Sequence, residues 1–435
     1  MIITSKDFDK QPLWFSMLNR TWRGTYFLGT RIRLDKDDLI RSARKATGLQ
    51  DLGSGFNDEP LERLLRSANE EARLHPVGRF ITRERLKSLL CIRLRAEHYF
   101  RTFPEILEQP LYPAWVIIGL QRTGTTKLQR LLAADPDHRV LPSWEVINPV
   151  PLELGITKDE LRTGSQAREA TSKRIDEKRI SIANTSVKAL KMMSPGFFAI
   201  HPIDAMQPEE DILLLDVSFM STTAEAMMHV PSYAEWLERT DQSPAYEYYV
   251  KMLKLLQWFK PAKRWVLKTP HHLEFLGLIE KHFNGVHFVW PHRTIYESVP
   301  SFLSMVSFNR MVFSNDVDPH EVGEHWVRKT GYMLDKALEF RKQPGKEQLF
   351  TDLFYKDLVR HPVQELSRLY ALNGGLAPEL ADRFRKTDGE HPHRKHGTHV
   401  YSASDFGITR KEIDHHTGHY QDFIHALHGK EEKQL

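Results

Sequence analysis

The sequence predicts an α/β fold, a parallel sheet flanked by helices, with a helical N-terminal extension and a helical insertion. Two patterns point there. From Ala114 onward, short apolar runs of strand length alternate with helical periodicities, the arrangement of βαβ units. Ahead of that point, and again over about 155–260, apolar residues keep to helical spacing and no useful β-alternation interrupts them.

Residues 1–112 form the expected extension. Its apolar stripes are Leu39, Ile40, Ala43 and Ala46, then Leu61, Leu64, Leu65 and Ala68, then Leu86, Leu89, Leu90, Ile92 and Leu94. Cys91 lies within the third stripe and reads as a small core residue. The α/β part, 113–435, opens with a buried-strand candidate at 115–119, and runs at 265–268, 286–290 and 348–351 supply three more. Helices are expected over 244–259, 272–283, 295–309, 320–342 and 355–371, with a last one near 409–428. The Met- and aromatic-rich stretch 219–259 reads as helix core rather than as an acceptor pocket.

Composition narrows the function. An apolar fraction of 40% with nine Trp and 23 Phe excludes a mainly disordered chain. The longest apolar runs, such as 115–120, fall far short of a membrane span. No basic stretch followed by a long apolar one opens the chain, so a cytoplasmic protein is expected. A single cysteine excludes internal disulfides and thiolate-clustered zinc. The net charge of +4 is spread in alternating signs, without the concentrated basic face of a nucleic-acid binder. An anionic small molecule fits this balance. His391, His393, His396 and His399 sit among loop-forming residues and read as a polar loop, so no metal is expected.

The strongest local signal runs from Val116 to Leu128. A buried strand leads into Arg122, Thr123, Gly124, Thr125 and Thr126, and then into the helical stripe Leu128, Leu131, Leu132. Strand, glycine-bearing loop and helix N-terminus together wrap backbone N–H groups around a phosphate, which predicts a P-loop-like sheet. Gly124 lets the backbone approach the anion, the hydroxyls donate further bonds, and Arg122 supplies permanent charge. Gly119 and Gly124 have Walker A spacing, but Lys127 comes two positions late. A nucleotide-dependent kinase or NTPase is therefore the alternative, with 212–216 as its Walker B candidate; that run, however, follows a helix-opening Pro208-Glu-Glu-Asp. A non-catalytic nucleotide-binding scaffold is a third reading.

Taken in order, these motifs resemble the sulfotransferase superfamily, and within it the large bacterial sulfotransferase branch. The similarity covers about residues 37–425, least specifically in the N-terminal helices. It implies that Arg122, Thr123, Gly124, Thr125 and Thr126 hold the 5′-phosphosulfate of 3′-phosphoadenosine 5′-phosphosulfate, the sulfuryl donor. It implies also that Arg293, after the 286–290 strand, and Ser301 eight residues on take the 3′-phosphate. The segment Trp265-Val-Leu-Lys-Thr-Pro-His-His-Leu273, the Trp144-Glu145 pair and the stretches at 399–401 and 405–407 look like that branch too. Arg suits a 3′-phosphate because its fork is bidentate and always charged. Ser301 lies near a helix start opened either by a Thr294…Glu297 capping box or by Pro300.

Sulfuryl transfer is expected to resemble phosphoryl transfer, catalysed mainly by positioning and charge stabilisation. The resemblance puts Lys268 beside the leaving group, and Glu145 and His272 compete as general base, Glu145 ahead. The acceptor is a hydroxyl or amine of an unidentified small-molecule, lipid or glycan partner. A homo-oligomer is compatible with the helical N-terminal surface.

Overall fold

Strand β1 (Ala114–Ile117) is buried along its whole length, which its unbroken apolarity requires. Its side chains alternate between two cores. Trp115 and Ile117 pack with Leu128, Leu131, Leu132 and Leu353 on one face, while Ala114 and Val116 join the larger core on the other. This computed structural model describes residues 2–4, 7–8, 10–162, 165–372, 374–390 and 398–431. Four further strands complete a parallel sheet: β2 (His138–Arg139), β3 (Arg264–Lys268), β4 (His287–His292) and β5 (Phe350–Phe354). Their order is β2-β3-β1-β4-β5. The chain thus leaves β1 for one side of the sheet and later for the other. The carboxyl end of β1 is the switch point, where open parallel sheets leave a crevice for ligands.

The sequence misses β2, whose two residues carry no apolar run. It misses also a separate parallel pair, Ile2–Thr4 with Thr398–Val400. Of the expected polar His loop, His391, His393 and His396 lie outside the described residues, as does the side chain of His399.

Four helices matter below. Helix α1 (Leu13–Gly24) lies against α2 (Pro76–Thr102), and α2 carries the predicted Leu86–Leu94 stripe into the same core as Ala114 and Val116. Helix α3 (Thr125–Leu132) follows β1, and α4 (Ile295–Arg310) follows β4. Within 219–259, Tyr233, Tyr246, Tyr249 and Met252 are buried in the larger core, while Met227, Trp236 and Trp258 are partly buried against it. Three helices differ from expectation, the 272–283 element being a 3₁₀ turn, Pro270–Glu274, followed by a short helix, Leu276–His282. The 355–371 element breaks into Tyr355–Arg360 and Pro362–Ala371, because His361 before a proline is pushed out of helical conformation. Helix α4 begins at Ile295 and keeps Pro300 in its interior; Thr294 makes no side-chain cap. The start at Thr294 holds without its capping box and the alternative start at Pro300 does not, so Ser301 lies in the second turn rather than the first.

Candidate active site

The loop after β1 ends in a conformation that few residues adopt. Gly124, the N-cap of α3, has φ +93°, and no side chain caps the helix. The first-turn N–H groups of α3 therefore have no intrahelical partner and no capping oxygen. A Cβ on Gly124 would also stand 2.9 Å from the Tyr355 ring, so the glycine serves packing as well as approach. Arg122 is held at φ +68°, in the left-handed region that costs a non-glycine residue energy. Thr123 spends its hydroxyl on the Leu120 carbonyl, 2.6 Å away, closing the loop on itself. Thr125 is buried and Thr126 half-buried at the start of α3.

Arg122, Arg293 and Ser301 are brought together, although 179 residues separate the first and last of them. Arg122 Nε donates to Ser301 Oγ at 3.1 Å, and Arg293 Nη1 donates to the Arg122 carbonyl at 2.9 Å. The Arg293 guanidinium lies over the Tyr355 ring, 4.5 Å from its centre, and gives Nε and Nη2 to the exposed Glu297 carboxylate. Glu297, expected to cap the helix, thus faces Arg293 instead. Burial lowers the proton affinity of Arg122, and the Arg293 charge adds to that. Among the described residues no carboxylate pairs with Arg122. A half-buried guanidinium without a counter-ion is poised for an anion.

Lys268 ends β3 directly opposite Ile117, the last residue of β1, so its ammonium emerges beside the loop. It is buried and pairs with Glu210 at 3.1 Å. Its own N–H donates to Asp211 Oδ1 at 2.8 Å. Asp211 is the centre of a sealed network: its other oxygen pairs with His272 Nε2 at 2.8 Å and accepts from the Tyr249 hydroxyl. The second nitrogen of His272 meets the Tyr246 hydroxyl at 2.8 Å. Burial pulls the Asp211 carboxyl upward, but His272 and the hydrogen bonds outweigh it and hold it below its ordinary range. Both nitrogens of the fully buried His272 are thus engaged inside the protein.

Glu145 is also enclosed. It lies in a short buried helix, Ser143–Ile147, where Oε2 accepts from Arg139 Nη2 at 2.5 Å. Lys260, which precedes β3, stands 3.8 Å from its other oxygen. Arg139 pairs with Trp265 near the amino end of β3, three residues from Lys268, so the contacts of Glu145 run towards the opposite end of the sheet from the loop.

Sequence reasoning passed over one residue here. His201 follows the helix Pro195–Ile200 in the insertion, and the neighbouring Ile200 carbonyl receives Arg122 Nη1 at 3.5 Å. Its half-buried ring has no hydrogen-bond partner among the described residues. Burial, then the charges of Arg122 and Lys268, push its pKa down to about 4. Glu210 opposes this shift weakly and Arg130 adds to it weakly. Nothing local marks this His in the sequence; only the packing of the insertion brings it to Arg122.

The alternative nucleotide geometry is missing. Lys127 is in an ion pair with Asp388, and 212–216 is helical rather than a strand, with Asp216 paired to Arg85. Among the described residues no group of three or more His, Cys, Asp or Glu side chains is placed to hold a metal ion.

No curated protein sequence matches the chain. The solved structure of sulfotransferase STF9 from Mycobacterium avium is similar with a TM-score of 0.74 at 25% identity, covering 90% of this chain and 97% of that one. Sulfotransferase STF1 from Mycobacterium tuberculosis H37Rv gives a TM-score of 0.71 at 27% identity, covering 88% and 98%. The family model described as "Sulfotransferase family" matches residues 113–375, more than half of the chain and all five strands of the sheet. The chain belongs to the sulfotransferase family, and its reaction class is sulfuryl transfer.

Proposed function

We propose that this chain moves a sulfuryl group from 3′-phosphoadenosine 5′-phosphosulfate to a hydroxyl or amine of a small-molecule, lipid or glycan acceptor. One observation carries the donor: Arg122, without a carboxylate partner, is joined to both Arg293 and Ser301 at the carboxyl end of β1. Two guanidinium groups, an ammonium, hydroxyls and free helix amides are nearly all hydrogen-bond donors, which suits a polyanion with phosphates at two positions.

In this reading Arg122 and the first-turn amides from Thr125 and Thr126 hold the phosphosulfate end, with Thr123 and Gly124 shaping the loop. Arg293 and Ser301 hold the 3′-phosphate. Lys268 stabilises the charge that grows on the bridging oxygen as the sulfur–oxygen bond breaks and the acceptor oxygen or nitrogen bonds to sulfur. The acceptor's proton needs a base with an available lone pair. Glu145 and His272, the expected bases, are tied to Arg139 and to Asp211 and Tyr246. His201 has an unpartnered nitrogen beside Arg122, so the proton is assigned to it. The cations that depress its basicity are those that the donor's negative charge neutralises, so donor binding raises its proton affinity.

The test is thermal stabilisation. Adenosine 3′,5′-bisphosphate at 100 times its Kd should stabilise the fold by about 2.7 kcal/mol, while ATP with Mg²⁺ at the same concentration does far less. The reverse preference would sink the donor assignment.

A further inference from the structure

A second face of the molecule takes no part in this chemistry. Helix α1 is held to the body along one narrow side. Phe15 is buried edge-on against His75, with ring centres 5.4 Å apart. One turn on, Asn19 accepts from the Val77 N–H at 3.0 Å and donates to the Phe15 carbonyl at 3.2 Å. At roughly 100° per residue, Leu13, Trp14, Met17 and Leu18 share an arc of about 140° on the far side. All four are exposed, Leu13 by 82% and Met17 by 68%. The following 3₁₀ turn, Tyr26–Leu28, exposes Phe27 by 84% and Leu28 by 66%. Surface hydrophobes of this size normally occur singly; a contiguous group marks an interaction site.

The charge of the same segment is one-sided. Lys10, Arg20, Arg23, Arg31 and Arg33 are its cations, and no Asp or Glu occurs between Lys10 and Arg33. This stretch alone carries +5, in a chain whose total is +4. All five are exposed, and among the described residues Arg20, Arg23, Arg31 and Arg33 form no ion pair. A second copy of the chain would bring two such segments face to face, charge against like charge. A nucleic acid would satisfy the arginines and leave Leu13, Met17 and Phe27 in water. An anionic bilayer satisfies both, with apolar side chains in the headgroup–acyl boundary and arginines among the lipid phosphates.

We propose that α1 and the turn after it dock this protein on the surface of an anionic lipid bilayer. The helix lies on the membrane rather than across it: no helix among the described residues is long and apolar enough to cross one. This inference is independent of the donor and base assignments above.

Vesicle co-sedimentation of the full chain tests it. The protein should pellet with mixed phosphatidylcholine–phosphatidylglycerol vesicles at low salt and far less with phosphatidylcholine alone. Binding to the mixed vesicles should fall at least ~10-fold at high ionic strength, where surface charge is screened. The triple variant Leu13→Glu, Met17→Glu, Phe27→Glu should lose at least ~10-fold in binding with an unchanged melting temperature, since all three side chains already face solvent. Arg20→Gln with Arg23→Gln should weaken the preference for the anionic vesicles by several-fold and leave the apolar face intact. Wild-type protein that ignores the anionic vesicles overturns the proposal. So does a wild-type dimer in sedimentation equilibrium that Leu13→Glu dissociates, because a second copy then covers the face.

Discussion

His201 and His272 stand in two regions that differ in how completely they are paired. Around His272 the ring itself is fully paired: Asp211 joins the ring, the Tyr249 hydroxyl and the Lys268 amide, and Tyr246 closes the other nitrogen, although Nε2 of the adjacent His271 is left without a hydrogen bond. Around His201 the charges are unbalanced: Arg122 has no carboxylate, and the ring itself no hydrogen-bond partner among the described residues. The first is a structural network that fixes the end of β3. The second leaves the Arg122 guanidinium without a counter-ion among the described residues. A histidine in a motif is therefore not equivalent to a histidine in a site; unsatisfied partners distinguish them.

The largest effect separates the two as bases. His201→Ala should cost on the order of 10²–10⁴ in turnover with little change in melting temperature, the usual worth of a general base. Glu145→Gln, in the same sulfuryl-transfer assay, should stay within a few-fold of wild type. Wild-type turnover in His201→Ala with an inactive Glu145→Gln would return the role to Glu145.

His272→Ala should act on the fold instead. Removing it leaves Asp211 buried with its main partner gone, a loss of about 3–5 kcal/mol for a broken buried pair. Chemical denaturation measures this, and an unchanged midpoint would show that the network is not structural. Arg293→Ala comes next. It should erase roughly 2–4 kcal/mol of preference for adenosine 3′,5′-bisphosphate over 5′-AMP, read by titration calorimetry. A variant that keeps the preference would place the 3′-phosphate elsewhere.

A pH prediction follows from His75, also pushed down to about 4, mainly by burial. Its ordinary value is 6.5, so between about 6.5 and 4 the unfolded chain binds the extra proton. The stability is intact above that window and is lost as pH falls through it. The loss from this group is at most about 1.4 kcal/mol per pH unit. His75→Asn, which preserves an acceptor for the Gly78 N–H, should flatten the acid limb of the stability curve; an unchanged slope would count against it. The smallest effect concerns Glu297, whose carboxylate competes for Arg293. Glu297→Gln should tighten bisphosphate binding by only about two- to five-fold, as befits an exposed i,i+4 pair.

Much of the candidate site is legible in the sequence where chemistry is local. The loop from Arg122 to Thr126 stands out because a strand, a glycine and a helix start adjoin there, the arrangement that an anion cradle requires. Lys268 is singled out only by the family resemblance, because a Lys that ends an apolar run is otherwise an ordinary strand-end surface residue. The helical stripes and the four longer strands follow from periodicity, whereas β2 escapes because two residues have none. Pro300 misleads: its ring argues for a helix start, yet the buried contacts of α4 on both sides of it carry the helix through.

By itself the sequence determined the α/β alternation and the strand, glycine loop and helix start around Arg122–Thr126, since each depends on residues within a turn or two of one another; Arg293 and Ser301 are singled out only by the family resemblance. The tertiary structure alone decided which charges remain unpaired. Glu145 meets Arg139 and His272 meets Asp211, while His201 enters the field of Arg122 and Lys268 from an insertion remote along the chain. Reactivity at a buried group is set by what surrounds it in space, and a one-dimensional pattern does not carry those distances.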